Sequence, residues 1–79
     1  MSSPYAVLGE LWWREDRDFT LVKIEYVSRG APGDLGTATG RDVKHIEKTF
    51  FELGGGTVIP YHRVLRVEYA GETVFSRSG

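Results

Sequence analysis

The chain has 79 residues, of which 41% are hydrophobic, and its ten Lys and Arg residues face eleven Asp and Glu residues, for a formal net charge of -1. The absence of cysteine excludes disulfides, thiolate metal sites and a cysteine nucleophile. Following many phosphates along a strand requires a strong basic excess. We therefore expect any nucleic acid to be held at a few phosphates, as at a strand end, with a modest salt dependence.

Length and hydropathy also limit the class of protein. A chain this short is predicted to be one domain, residues 1–79. No apolar run approaches the roughly 18 residues of a membrane span, and residues 1–9 lack the basic start of a signal peptide. We expect a soluble, cytoplasmic protein without a membrane partner.

The first predicted element is a helix from Pro4 to about Arg14. Ser3 followed by Pro4 is a typical N-cap with proline at the first helical position. Apolar residues then recur at helical spacing, at Val7, Leu8, Leu11 and Trp12. Trp12 and Trp13 are predicted to belong to the core, with a base-stacking surface as the alternative.

A strand is predicted next, over residues 19–28, because Val22, Ile24 and Tyr26 alternate with charged residues. Pro32 and Gly33 suit the central positions of a type II turn, since proline presets φ and glycine accepts a positive φ. Residues 35–39 are predicted to form a short strand.

The middle of the chain is predicted to hold a short helix and a hairpin. Thr39 and Asp42 have the spacing of a capping box, so we expect a helix over residues 41–47 with Val43 and Ile46 on its apolar stripe. Strands are expected over residues 49–53 and 57–59, joined by a turn at residues 54–56, all glycine.

Pro60 is expected to interrupt the sheet, because proline has no N–H to donate and a fixed φ. Two further strands follow, over residues 65–69 and 73–75, with a tight turn near Gly71. The pattern predicts an α+β domain: a small curved antiparallel sheet or open barrel of five to six strands, covered by the N-terminal helix and containing one short internal helix.

The residues that best suggest a ligand site follow Pro60. Tyr61 offers a ring for stacking, His62 a titratable donor and Arg63 a bidentate donor to an anion. This combination suits a phosphate and its base. The alternative is structural: Tyr61 belongs to the core, and His62 and Arg63 satisfy neighbouring carbonyls.

Arg29 is the second candidate cation. It is in phase with Lys23 and Glu25 and is therefore expected on the face of the strand opposite the core. A salt bridge to Asp34 across the turn and contact with a ligand are both open, because a carboxylate can orient a guanidinium that keeps donors free.

Other kinds of site are disfavoured. The glycines at 54–56 are not followed by a Lys-Ser or Lys-Thr pair, so no P-loop is expected. His45 and His62 have no carboxylate at a regular ligand spacing, so we expect no metal and no cofactor. Phosphodiester chemistry needs two proton-transfer groups, and nothing in the sequence brings a second one to His62. Binding is therefore favoured over catalysis.

Two segments together resemble a known family. The segment from Tyr26 and Arg29 through Asp34, followed by residues 59–64 (IPYHRV), is similar to the largely archaeal RNA cyclic group end recognition domain. The resemblance spans nearly the whole chain. It implies recognition of RNA ends that carry a 2′,3′-cyclic phosphate, and it implies that some relatives are attached to RNA-processing or RNA-repair modules, which are possible partners.

The leading hypothesis is a non-catalytic module that holds the 3′ end of single-stranded RNA. Arg63 and Arg29 would clamp the phosphate, His62 would donate to a phosphate or ribose oxygen, and Tyr61 would stack on the terminal base. The candidate site residues are Arg29, Gly30, Asp34, Tyr61, His62 and Arg63. The alternatives are a phosphodiesterase-like enzyme of cyclic phosphate metabolism and a protein-interaction module that binds no RNA.

Overall fold

The computed structural model describes residues 3–77 and contains one α-helix and seven strands. Helix α1 spans Pro4–Trp13, and the strands are β1 (Val22–Val27), β2 (Leu35–Thr39), β3 (Val43–Ile46), β4 (Phe50–Leu53), β5 (Val58–Pro60), β6 (Val64–Tyr69) and β7 (Glu72–Ser76). Short 3-10 turns precede β1, β2, β3 and β6. None of the helices within residues 3–77 is long and apolar enough to cross a membrane.

Helix α1 begins and ends as its sequence predicts. The Ser3 side chain accepts a hydrogen bond from the Ala6 N–H at 3.1 Å, and Pro4 occupies the first turn, where a missing N–H costs nothing. The helix ends before Arg14, whose backbone is extended. Leu8 and Leu11 are buried and dock the helix on the sheets.

The strands form two antiparallel sheets. The larger sheet has the order β2-β1-β6-β7 and the smaller one the order β3-β4-β5. The chain passes from the larger to the smaller sheet through the 3-10 turn Gly40–Asp42 and returns through the 3-10 turn Tyr61–Arg63. Pro60 is the last residue of β5, so the ladder ends where the sequence predicts an interruption.

Helix α1 and both sheets share one apolar core. Phe51, Val64 and Val67 are fully buried, and Leu8 of the helix belongs to the same cluster. The α+β class is confirmed. The strands number seven rather than five or six, and they lie in two sheets that do not close into a barrel.

The predicted internal helix over residues 41–47 is wrong. The capping box of Thr39 and Asp42 forms, but it starts only the 3-10 turn Gly40–Asp42, after which β3 pairs with β4. The register between these strands shifts between Val43 and His45, which is a β-bulge. Because a bulge adds one residue, two residues three positions apart can share a face and imitate helical spacing.

The two tryptophans have different surroundings. Trp12 is half-buried and packs edge to face on Phe19, with ring centroids 5.0 Å apart. The side chain of Trp13 is 75% exposed, so its predicted place in the core is wrong.

Candidate functional site

Strand pairing brings the two predicted ligand segments to the same end of the larger sheet. Strands β1 and β6 are antiparallel neighbours, and Tyr26 near the end of β1 pairs with Val64 at the start of β6. The loop of residues 28–34 follows β1, and the turn Tyr61–Arg63 precedes β6. Arg29, Gly30 and Asp34 therefore share one end of the sheet with His62 and Arg63.

The loop of residues 28–34 consists of two successive turns. The Ala31 N–H donates to the Ser28 carbonyl at 3.2 Å, and the Asp34 N–H donates to the Ala31 carbonyl at 2.8 Å. The third residue of each turn has a positive φ, 90° at Gly30 and 68° at Gly33, as type II turns require. This confirms the turn predicted from Pro32 and Gly33.

Asp34 holds the loop together and does not pair with Arg29. Its carboxylate accepts a hydrogen bond from the Gly30 N–H at 3.4 Å. All ion pairs within residues 3–77 involve Arg14 or Arg66, so the salt bridge between Asp34 and Arg29, one of the two possibilities that the sequence leaves open, does not form. The Arg29 side chain is exposed and is left available to a ligand.

Tyr61 is a core residue. Its ring is only 7% exposed and packs against Tyr5 and Phe51, with centroid separations of 5.5 and 5.9 Å. Its hydroxyl donates to the Glu47 carbonyl at 2.6 Å, and burial raises the pKa of this hydroxyl. Since the ring has no free face, the base-stacking role expected for Tyr61 is not possible in this structure, and the core alternative describes it.

His62 and Arg63 follow Tyr61 but point away from the core. His62 is exposed and Arg63 is half-buried. No side-chain hydrogen bond found within residues 3–77 uses Arg29, His62 or Arg63. The burial of Tyr61 thus fixes the turn, and the two polar side chains beside it keep their donors for a ligand.

Arg77 is a residue of the candidate site that the sequence analysis missed. Its Nε donates to the Val64 carbonyl at 3.0 Å and its Nη2 to the Tyr61 carbonyl at 3.2 Å, so it holds both ends of the turn Tyr61–Arg63. The signal in the sequence was the hairpin predicted around Gly71, which brings the residues after its second strand close to the start of its first strand. In the structure the register shift between Val67 and Glu68 places position 77 beside Leu65, whose carbonyl accepts the Arg77 N–H at 2.8 Å.

Cations predominate at this end of the sheet, which we call the arginine end. It comprises the loop of residues 28–34, the turn Tyr61–Arg63, Arg77 after β7, and the β3–β4 turn. The β3–β4 turn is included because its Thr49 carbonyl accepts the Tyr61 N–H at 3.2 Å. Its Lys and Arg residues are Arg29, Lys48, Arg63 and Arg77, against Asp34 and Glu47. The opposite end carries Arg17 and Arg41 against Asp18, Asp42 and Glu72.

A cavity of about 280 Å³ lies elsewhere, between helix α1, Arg17 and the β6–β7 hairpin, and none of the predicted site residues lines it. No group of three or more His, Cys, Asp or Glu side chains within the described residues could hold a metal ion.

Comparisons with known proteins agree with the resemblance seen in the sequence. The family model of the MJ1316 RNA cyclic group end recognition domain matches residues 1–77. A UPF0248 protein of Archaeoglobus fulgidus is 35% identical over 65 residues, which cover 82% of this chain and 91% of that protein. No solved structure matches the chain.

Proposed function

The chain belongs to the family of the MJ1316 RNA cyclic group end recognition domain, and on that premise we propose that it binds RNA 3′ ends that carry a 2′,3′-cyclic phosphate, at the arginine end. The observation that carries the proposal is the convergence of two loops on neighbouring strands. Strand pairing brings Arg29 to the same end of the sheet as the turn that bears His62 and Arg63, and no side-chain hydrogen bond within the described residues uses any of the three.

Each side chain has a role that follows from its chemistry. A guanidinium can donate two parallel hydrogen bonds to two phosphate oxygens, which suits Arg63 and Arg29 to the two non-bridging oxygens of the cyclic phosphate. His62 donates to a phosphate or ribose oxygen. Gly30 and Asp34 act indirectly, because the hydrogen bond between them shapes the loop that carries Arg29.

Charge and shape favour different RNA ends. A terminal 3′-phosphate approaches two negative charges near neutral pH, whereas a cyclic phosphate carries one. If charge alone decided, the arginine end would bind the 3′-phosphate more tightly. A preference for the cyclic end therefore measures recognition of shape, namely a strained ring without a free 2′-OH.

The proposal is tested with three RNA oligomers that are identical except for a 3′-OH, a 3′-phosphate or a 2′,3′-cyclic phosphate. We expect the oligomer with the cyclic end to bind at least about tenfold more tightly than the oligomer with the 3′-OH end, because its phosphate accepts charge-assisted hydrogen bonds that the 3′-OH cannot. Equal affinity for all three ends would reject end recognition. Mass spectrometry of the recovered oligomer distinguishes the enzymatic alternative, since an opened ring would show turnover.

Variants assign the binding to the arginine end. Arg63→Ala and Arg29→Ala should each weaken binding of the cyclic end about tenfold, and His62→Ala somewhat less. The matched control is Arg41→Ala, which removes an exposed arginine from the opposite end of the sheet. A loss in the control as large as that in Arg63→Ala would show that binding depends on overall charge, against the proposal.

A further inference from the structure

The outer face of helix α1 carries two aromatic side chains that are exposed at least in part. Tyr5 is 38% exposed and Trp13 is 75% exposed. They lie eight positions apart, with Gly9 midway, so all three share one helix face. A shallow cavity of about 380 Å³ lies between them and is also lined by Ala6, Glu10 and Arg14.

Gly9 lies between the two rings and is itself buried. A Cβ at Gly9 would meet only the edge of the Tyr5 ring, at 4.0 Å, so the glycine is not required by close packing. Because glycine has no side chain, nothing projects from this position between Tyr5 and Trp13.

This face is continuous with the arginine end. The Tyr5 ring packs on Tyr61 at 5.5 Å between centroids, and Tyr61 begins the turn that carries His62 and Arg63. The path from the arginine end to Trp13 therefore runs along helix α1. At 1.5 Å per residue, Tyr5 and Trp13 are about 12 Å apart, the length of three to four stacked bases at about 3.4 Å each.

We propose that the Tyr5–Trp13 face of helix α1 binds the bases that precede the terminal nucleotide of a single-stranded RNA, by stacking on Trp13 and Tyr5. This inference rests on the proposed function, since the cyclic end must sit at the arginine end for the preceding bases to reach the helix. Every base has a π-face, so stacking of this kind tolerates any sequence.

The charges on this face favour contact through bases rather than phosphates. Arg14 is already held by Glu10 at 2.9 Å and by Asp16 at 2.8 Å, so its charge is compensated. A phosphate would therefore gain little binding energy from Arg14. The contribution of Trp13 to binding should therefore be nearly independent of salt, whereas that of Arg63 should fall as salt rises.

The experiment compares two ligands that share the terminal group, adenosine 2′,3′-cyclic phosphate and a six-nucleotide oligo(A) that ends in the same group. Trp13→Ala should weaken binding of the hexamer about tenfold, within the range for loss of a stacked base, and leave the cyclic nucleotide unaffected. Trp13→Phe should retain most of the affinity. Arg63→Ala should weaken both ligands.

Controls separate stacking from other effects of the substitution. Leu21→Ala removes another exposed apolar side chain, 48% exposed, at the opposite end of the sheet and should change neither affinity. A hexamer with abasic nucleotides at its second to fourth positions from the 3′ end should bind the wild type as weakly as the intact hexamer binds Trp13→Ala.

Two results would overturn the inference while leaving the proposed function intact: unchanged hexamer binding by Trp13→Ala, which would leave the face to a protein partner, or an equal loss for both ligands. Failure of the proposed function looks different. In that case the wild type shows no preference for the cyclic end and Arg63→Ala changes nothing, and the inference fails with it.

Discussion

Tyr61 joins three parts of the molecule through one side chain. Its ring contacts Tyr5 of helix α1 and Phe51 of strand β4, and its hydroxyl donates to the Glu47 carbonyl in the β3–β4 turn. The neighbouring residues His62 and Arg63 are therefore attached to a rigid point. At the scale of the residue, the core function of Tyr61 is what allows the side chains beside it to be presented to a ligand.

Tyr61→Phe tests this anchoring through the pH dependence of stability. Burial raises the pKa of the folded-state hydroxyl above the ordinary value of about 10. The contribution of the buried, protonated hydroxyl to the stability of the fold is therefore complete below about pH 10. It is lost as the pH rises above that value, because the hydroxyl ionises first in the unfolded chain. At pH 7 we expect Tyr61→Phe to be less stable than the wild type by about 1 kcal/mol, because the substitution removes the hydrogen bond to the Glu47 carbonyl.

The difference in the free energy of unfolding between the wild type and Tyr61→Phe should shrink as the pH rises from about 9 to about 11, because phenylalanine has no proton to release. Urea unfolding at several pH values measures it. Parallel stability curves for the wild type and Tyr61→Phe over this range would show that the hydroxyl is not buried.

Gly40 offers a steric test of the junction between the two sheets. A Cβ at this position would lie 1.6 Å from the Phe19 carbonyl oxygen, a backbone atom that cannot move without shifting the start of β1. Gly40→Ala should therefore destabilise the protein by several kcal/mol, about 3 or more, as overpacking against backbone does. Thermal unfolding provides the measurement.

Gly54→Ala is the matched control, since its Cβ would meet only the Asp42 carbonyl oxygen at an ordinary 3.9 Å. It should change stability by less than about 1 kcal/mol. Equal effects of the two substitutions would mean that the contact between Gly40 and Phe19 is looser than described.

At the scale of the elements, the sequence predicts structure well where each pattern is local. The helix from Pro4 and strand β1 agree with the sequence because caps, proline and alternation act within a few residues. β-Bulges defeat this reasoning. Val64 and Val67 are both fully buried, although three apart, because β6 has an extra residue opposite β1 at Leu65.

The same limit applies to the candidate site. The Arg29 and Tyr61–Arg63 segments could be picked out from their residue types, and the sequence left the burial of Tyr61 open as an alternative. Which strands are neighbours depends on pairing between distant residues, so the convergence of the two segments, which the phosphate-clamp hypothesis assumes, could not be derived from local patterns. Arg77 was missed because its role is to bind carbonyls that lie 13 and 16 positions earlier in the chain, at Val64 and Tyr61.

Arg77 gives the prediction that belongs to this scale. If Arg77 positions the turn Tyr61–Arg63, Arg77→Ala should weaken binding of cyclic-ended RNA about fivefold to tenfold by loosening that turn. The loss should not add to that of Arg63→Ala, because both act through the same contact. Affinities of the wild type, both single variants and the double variant form the required cycle.

Direct contact between Arg77 and RNA would give a different result. The losses of Arg77→Ala and Arg63→Ala would then add, and Arg77→Ala would also lower the salt dependence of binding. Arg77→Lys should recover only part of the affinity, because an ammonium cannot reproduce the planar fork that binds two carbonyls together.

At the scale of the whole molecule, the arginine end lies at one of the two junctions between the sheets. The turn Tyr61–Arg63 leaves β5 of the smaller sheet and enters β6 of the larger one, and helix α1 packs against it through Tyr5. The loop of residues 28–34 reaches the same place from β1. Although the net charge of the chain is only -1, cations predominate at this end and acids at the opposite one, which suits a single terminal phosphate rather than a long strand.

The most direct test of this account is an amide chemical-shift titration with adenosine 2′,3′-cyclic phosphate. The account predicts that one saturable binding event shifts the amide resonances of Gly30, His62 and Arg63 together. The resonances of Gly40 and Gly71, at the opposite end of the sheet, should not change. Shifts confined to one of the two loops, or centred on the opposite end, would contradict the claim that the loops form a common site.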